Sequence, residues 1–189
     1  ACLREAARNN GLSIHAWVFM HNHIHLLVTP ATEKSLPKTM QSVGRRYAHY
    51  FNRAYHRSGS LWEGRYKSSL VDTDHYLLCC YRYIELNPVR AGMAKRPEDY
   101  AYSSYHANAL GKADSMVTPH GVFLRFITGE VSESEKADSD TLAADIRQVY
   151  RELCKEMLDR KTLTDIRRGT EKGLGIGQAK FLLKVAGLK

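Results

Sequence analysis

Two histidines stand two positions apart in an apolar stretch of this 189-residue chain. His23 and His25 flank Ile24 in a segment, residues 23–29, whose composition is typical of a β-strand. Side chains two positions apart on a strand point to the same face of the sheet. Two neutral imidazoles on one face are suitable ligands for a divalent metal ion. Taken alone, such a pair is more often two ordinary strand histidines than a metal site.

A tyrosine and an asparagine stand four positions apart further along the chain. Tyr83 and Asn87 can share one stripe of a helix that we predict over residues 74–86. Each has an ordinary interpretation, as a half-buried tyrosine and as a residue that ends the helix before Pro88. The neighbouring stripe is expected to face the core, so that Tyr83 flanks the core rather than filling it. The same helical pattern places Arg82 and Glu85 in solvent.

The elements around these residues indicate an α+β fold. A helix is predicted over residues 2–10, and residues 12–20 and 23–29 are expected to form a β-hairpin. Residues 66–71 are predicted to form a third strand, and Asp72 or Asp74 is expected to cap the helix that follows. Further helices are predicted over residues 38–57, 121–129, 142–158, 163–168 and 178–185. The glycines of residues 173–177 are expected to form a turn between the last two helices, because the lysine of a phosphate-binding loop is missing.

Charge is distributed unevenly along the chain, which carries a formal net charge of +8. Residues 38–67 contain seven lysines and arginines against Glu63 alone, and six aromatic residues alternate with them. Cations bind phosphates and aromatic rings can stack on unpaired bases, so this segment suggests a nucleic-acid surface. A solvated basic helix with its aromatic residues in the core is the alternative. Residues 130–145 are acidic by contrast.

Composition excludes several classes of protein. No apolar run is long enough to cross a bilayer, and residues 2–10 lack the apolar segment of a signal peptide. The four cysteines form no C-x-x-C pair, so we expect free thiols rather than a zinc or disulfide framework. A cytoplasmic protein without a membrane partner is expected.

Four blocks of sequence carry a family resemblance that covers roughly residues 1–125. Residues 16–28 read AWVFMHNHIHLLV and resemble the HUH signature (histidine, bulky hydrophobic, histidine) of the single-tyrosine transposases. Residues 61–68 (LWEGRYKS), 81–92 (YRYIELNPVRAG) and 102–105 (YSSY) resemble the subgroup of REP-associated tyrosine transposases. The order of the blocks makes the resemblance specific.

The resemblance implies a role for each residue of the motifs. Tyr83 matches the nucleophile, His23 and His25 match the metal ligands, and Asn87 matches the polar residue that completes the metal site. The metal would be Mg²⁺ or Mn²⁺. The reaction would be nicking and strand transfer of single-stranded or hairpin DNA through a 5′-phosphotyrosine intermediate, with palindromic repeats as targets.

The resemblance also implies a ferredoxin-like antiparallel sheet with helices on one face, in a monomer or homodimer. For DNA-backbone contacts, the basic segment offers five candidates: Arg45, Arg46, Arg53, Arg65 and Lys67. We expect a transposase domain over residues 1–125, an acidic linker over residues 126–141 and a C-terminal helical region over residues 142–189.

The chain departs from the family pattern at two points. His21 stands where members usually have proline, which leaves His23 and His25 intact. The family's first strand is not found ahead of residue 2, so the domain is expected to be N-terminally incomplete, with one strand edge unpaired.

Two other functions remain open at this point. A domesticated or truncated protein of the same fold could bind DNA hairpins without cutting them. A metal-dependent hydrolase could use water, but it would need acidic ligands near the histidines, and residues 15–30 contain none.

Overall fold

The predicted β-hairpin is present at the centre of the N-terminal half. In a computed structural model that describes residues 2–72, 76–128 and 139–187, strands β1 (Leu12–Phe19) and β2 (Ile24–Pro30) pair antiparallel. An irregularity between Ile14 and Ala16 shifts the register, after which Val18 lies opposite His25. The register therefore fixes His25 on the same face of the hairpin as Leu27, two positions further on.

Helices make up most of the remaining described structure, in the order that the sequence predicts. They are α1 (Cys2–Asn9), α2 (Ser35–Ala54), α3 (Leu77–Glu85), α4 (Asn87–Arg90), α5 (Tyr105–Asn108), α6 (Gly121–Thr128), α7 (Ser139–Lys155), α8 (Arg160–Lys172) and α9 (Ala179–Ala186), with a 3-10 helix at Pro97–Asp99. The α+β class with a C-terminal helical extension is thus confirmed. No helix within the described parts of the chain is long and apolar enough to span a membrane.

Both faces of the hairpin are covered by helices, where one face was expected. Leu3 of α1 packs with Ile14 and Trp17 of β1 on one face. On the other face, Val18 and Leu27 pack with residues of α3. This second face is the one that carries His25, so the alternation along β2 directs the imidazole towards α3.

The outer edge of β1 is hydrogen-bonded to other segments, whereas no backbone hydrogen bond or bridge within the described residues reaches the outer edge of β2, so the expected unpaired edge is found at β2. Ser104 N donates to Trp17 O over 2.9 Å, and Phe19 N donates to Tyr102 O over 3.0 Å. Thr118 N donates to Ile14 O over 2.7 Å at the other end of the strand. Segments that follow α4 in the chain therefore satisfy the backbone groups along this edge.

The predicted third strand over residues 66–71 does not form. Only Val71 makes a β-bridge, parallel to Ile176, and the backbone hydrogen bonds join Leu70 O to Ile176 N (2.8 Å) and Ile176 O to Asp72 N (2.7 Å). The segment is rich enough in β-formers to suggest a strand, but its only partner is one residue of the C-terminal glycine turn. A β-strand needs a neighbouring strand of similar length to pair with, and no such strand lies beside residues 66–71 in the described structure.

The predicted start of α3 falls on residues 73–75, Asp74 among them, which lie outside the described part of the chain. The Asp72 carboxylate accepts a hydrogen bond from Gln178 N (3.3 Å). Asp72 therefore ties the chain ahead of α3 to the C-terminal region, and its role as a helix cap stays a prediction.

The C-terminal helices pack into the same core as α3. Tyr150 of α7 and Ile166 of α8 are buried with Tyr81 and Ile84 of α3. The predicted turn between α8 and α9 is confirmed, since α8 ends at Gly173 in the left-handed conformation (φ 62°) that favours glycine. Most of the predicted acidic linker, residues 129–138, lies outside the described part of the chain.

Candidate active site

The hairpin and α3 bring the two predicted motifs together. The ring centroids of His23 and His25 are 4.9 Å apart, and those of His25 and Tyr83 are 5.7 Å apart, with both pairs edge-on. Residues almost sixty positions apart in sequence thus form one cluster of two imidazoles and a phenol. His23 precedes β2, which begins at Ile24, and its ring nevertheless lies against that of His25 as the sequence predicts.

The two imidazoles differ in hydrogen bonding and in burial, and each difference affects how the ring could bind a metal. His23 is exposed, and its Nδ1 lies 2.7 Å from Asn22 Oδ1. When Nδ1 donates this bond, Nε2 keeps its lone pair for a ligand, as in the orienting contacts of metal-bound histidines. His25 is half-buried, and burial lowers its pKa to about 4, with smaller contributions from the charges of His23 and Arg90. His25 is therefore neutral at pH 7, which is the form that binds metals.

Helix α3 ends at Glu85, close to its predicted end, and Asn87 begins a separate short helix. In this helix, α4, Pro88 lies in the first turn, where a missing N–H costs nothing. Within the described residues, no hydrogen bond or ring contact links the Asn87 side chain to either imidazole, and no group of three His, Cys, Asp or Glu could hold a metal. The role of Asn87 as a third ligand stays a prediction.

Tyr83 was expected at the margin of the core, but it is buried within the core. Only 8% of its surface is exposed. Its ring lies between His25 and Arg90, whose Cζ is 4.6 Å from the ring centroid. An Arg90 Nη2–H donates to the backbone oxygen of Tyr83. Sequence analysis assigned no role to Arg90, although its position two helical turns after Tyr83 on the stripe through Asn87 was a usable signal.

Glu85 is fully buried, which corrects its predicted exposure. Its carboxylate accepts hydrogen bonds from Ser104 Oγ, Asn108 Nδ2 (2.7 Å) and Tyr150 OH (2.7 Å). Burial raises the pKa of Glu85 to about 7, and the three hydrogen bonds oppose this rise because they favour the charged form. This Glu85 network joins α3 to α5 and α7, and so it fixes the helix that carries Tyr83.

Arg82 is buried as well, again against expectation. It is 8% exposed, and its Nη2 donates to the backbone oxygen of Glu156, between α7 and α8. Both charged residues that the helical pattern places in solvent thus bind the C-terminal region.

The second half of α2 and the residues after it carry an aromatic ridge, which we define as Tyr47, Tyr50, Phe51, Tyr55 and Trp62. All but the half-buried Phe51 are exposed. Ring centroids of Tyr47 and Trp62 are 5.7 Å apart, and those of Phe51 and Tyr55 are 4.4 Å apart. Tyr50 is 66% exposed and Tyr55 is 63% exposed. The alternative in which these rings fill the core is therefore wrong, and the ridge offers aromatic faces to solvent.

The predicted DNA-contacting cations lie in α2 and in the segment that follows it. All five are exposed: Arg45, Arg46, Arg53, Arg65 and Lys67. Arg46 forms a salt bridge, in which its Nη2 is 2.9 Å from Glu5 Oε2 of α1. Exposed cations next to exposed aromatic rings are the combination that binds single-stranded nucleic acid.

Comparison with known proteins agrees with this geometry. Residues 1–87 match the family model described as "Transposase IS200 like". The matched segment contains His23, His25, Tyr83 and Asn87, and the match supports the transposase family and a role in DNA transposition. No curated protein and no solved structure matches the chain.

Proposed function

We propose that this protein is a REP-associated single-tyrosine transposase that nicks and rejoins single-stranded or hairpin DNA. The observation that carries the proposal is the contact between His25 and Tyr83 within the family-matched segment. An imidazole pair beside a phenol is the arrangement that a metal-assisted tyrosine nucleophile requires.

The proposed reaction is a transesterification. The Tyr83 oxygen attacks the phosphorus of a DNA phosphodiester, the bond from phosphorus to the 3′-oxygen breaks, and a 5′-phosphotyrosine forms. The tyrosyl proton is lost to solvent, and the leaving 3′-oxygen takes up a proton. A later 3′-hydroxyl reverses the step, so the number of phosphodiester bonds is kept and no ATP is consumed.

His23 and His25 are suited to hold Mg²⁺ or Mn²⁺, with the Asn87 amide oxygen as the proposed third ligand. The fit rests on two imidazoles whose ring centroids are 4.9 Å apart, of which His25 is kept neutral at pH 7 by its lowered pKa. Imidazole is a softer ligand than Mg²⁺ prefers, so DNA phosphate and water would provide hard oxygen ligands. Bound there, the metal would supply Lewis-acid polarisation of the scissile phosphate.

The aromatic ridge and its cations are suited to hold the unpaired strand. Stacking on the rings would select unpaired bases, and the cations would bind phosphates without regard to sequence. Palindromic repeats that fold into hairpins provide such unpaired segments beside a stem.

The nucleophile is tested with a pool of labelled single-stranded oligonucleotides and Mn²⁺, with covalent adducts resolved on a denaturing gel. The wild-type protein should form an adduct and Tyr83→Phe should form none while still binding the pool. Tyr102→Phe is the matched control, because Tyr102 is 64% exposed and its ring contact within the described residues is with Tyr100, not with an imidazole. An adduct that persists in Tyr83→Phe would overturn the assignment.

The metal role is tested separately. His25→Ala or removal of divalent ions should abolish adduct formation, whereas His49→Ala, at an exposed position of α2, should leave it unchanged. Undiminished cleavage by His25→Ala would exclude the metal site.

A DNA-hairpin-binding protein without activity is the second candidate. It is favoured by one observation, that no described contact brings the Asn87 side chain to the imidazoles. The same gel separates the two functions, since a binding protein forms no adduct, and a hydrolase would cut without leaving a protein-linked phosphate.

A further inference from the structure

Arg90 is a half-buried cation beside the candidate nucleophile, and its Nε–H has hydrogen-bonding capacity left over. Its Cζ lies 4.6 Å from the Tyr83 ring centroid, and its Nη2–H is used by the Tyr83 backbone oxygen. Its Nε is buried and finds no hydrogen-bond partner among the described residues. None of the ion pairs found within those residues includes Arg90. A buried donor on a cation without a partner is costly, so an anion at this position would be stabilised.

The C-terminal region contributes a second guanidinium, that of Arg167 in α8, which acts on Arg90. Helix α8 packs on α3, where Tyr76 OH donates to Asp165 Oδ2 over 3.2 Å and Ile166 enters the core at 2% exposed. The next residue, Arg167, is exposed, and its charge acts on Arg90. Burial lowers the pKa of Arg90 to about 10, and the Arg167 charge contributes to this decrease. Arg167 thus lies within electrostatic range of Arg90, which contacts the Tyr83 ring.

We propose that Arg90 and Arg167 form an anion site that binds the phosphate on which Tyr83 acts, and that α8 thereby completes the active site. The inference rests on the proposed function and adds two residues outside the family-matched segment, residues 1–87. Guanidinium groups bind phosphate oxygens in a fixed fork geometry, and they stabilise charge that develops on those oxygens. The site binds the phosphodiester of the DNA before transfer. After transfer it binds the phosphodiester between Tyr83 and the 5′ end of the DNA.

Anion binding is measured on the full chain without DNA. Protein labelled with ¹⁵N-arginine is titrated with phenyl phosphate, a mimic of phosphotyrosine, and the arginine Nε–H resonances are followed. The Arg90 resonance, assigned by its absence in Arg90→Lys, should shift with saturation. Arg167→Ala should weaken binding roughly tenfold, the size expected for one charge-assisted hydrogen bond. Arg168→Ala, the exposed neighbour on the same helix, should change it less than about twofold.

Two results would overturn the inference. One is an Arg90 resonance that does not respond to phenyl phosphate in the wild-type protein. This measurement does not depend on whether any variant folds. The other is an equal loss of affinity in Arg167→Ala and Arg168→Ala, since general surface charge would then explain the binding.

The adduct assay provides a catalytic readout. Arg90→Lys keeps the charge and loses the fork, so the rate of adduct formation should fall on the order of 100-fold with little change in oligonucleotide binding. An unchanged rate would contradict the role of Arg90. If the wild-type protein forms no adduct but binds phenyl phosphate at Arg90, the proposed function fails and the anion site stands. If it forms an adduct without anion binding at Arg90, only this inference fails.

Discussion

Helices α2 and α3 carry similar kinds of residues and place them in opposite environments. The 20 residues of α2 bury only Ser35 and Thr39, and its tyrosines and arginines face solvent. The nine residues of α3 bury seven, among them Arg82, Tyr83 and Glu85. The cause is position, since α3 lies between the hairpin and the C-terminal helices, whereas α2 contacts the core only through its first half.

The difference separates two tasks within one proposed function. Exposed rings and cations of α2 can meet DNA without changing the fold, because few protein contacts depend on them. Polar groups of α3 are satisfied inside the protein, and they hold Tyr83 in place. Changes on α2 should therefore alter binding and spare stability, and changes in the Glu85 network should do the reverse.

The largest expected effect is on stability at Glu85. Glu85→Ala removes the acceptor of three buried donors, so the free energy of unfolding should fall by about 3 kcal/mol or more. Urea denaturation measures the loss. Glu152→Ala is the control: Glu152 is exposed and pairs with Lys155 at 2.7 Å, a contact worth less than about 1 kcal/mol. Equal losses in the two variants would remove the contrast between buried and exposed polar groups.

An intermediate effect is expected on DNA binding at the aromatic ridge. Tyr50→Ala should weaken binding of a single-stranded oligonucleotide by about 1–3 kcal/mol, the value of one base stacked on an aromatic ring. The melting temperature of the Tyr50→Ala variant should stay close to that of the wild-type protein, because Tyr50 is 66% exposed. Tyr102→Ala, at 64% exposed and off the ridge, should change neither quantity. Fluorescence anisotropy that shows equal binding by both variants would exclude the ridge as the stacking surface.

The smallest effect should distinguish two neighbouring arginines of α2. Arg45→Gln should reduce the dependence of log affinity on log salt by about 0.7, the value for one phosphate contact of a single strand. Arg46→Gln should reduce it less, because Glu5 at 2.9 Å already neutralises that charge. Identical slopes for the two variants would show that the Arg46–Glu5 pair opens freely when DNA binds.

Local patterns were sufficient where the physical cause is local. The hairpin, the order of helices and the ring contact of His23 with His25 follow from residue alternation and from helical periodicity. The third strand over residues 66–71 failed because strand formation depends on a partner, and Val71 meets only Ile176. The buried state of Glu85 was missed because helical periodicity assumes one solvent-facing side, and α3 has none.

By itself, the sequence determined the chemistry that could be assembled: two histidines on one strand face, a tyrosine on a helix, and a basic aromatic segment beside them. These depend on residue type and spacing, which local geometry translates directly into shared faces. Only the tertiary structure decided that His25 meets Tyr83, that Arg90 lies on the Tyr83 ring, and that the C-terminal region supplies partners for Arg82 and Glu85. Such contacts join segments far apart in the chain, and they are selected by how the whole core packs rather than by any local pattern.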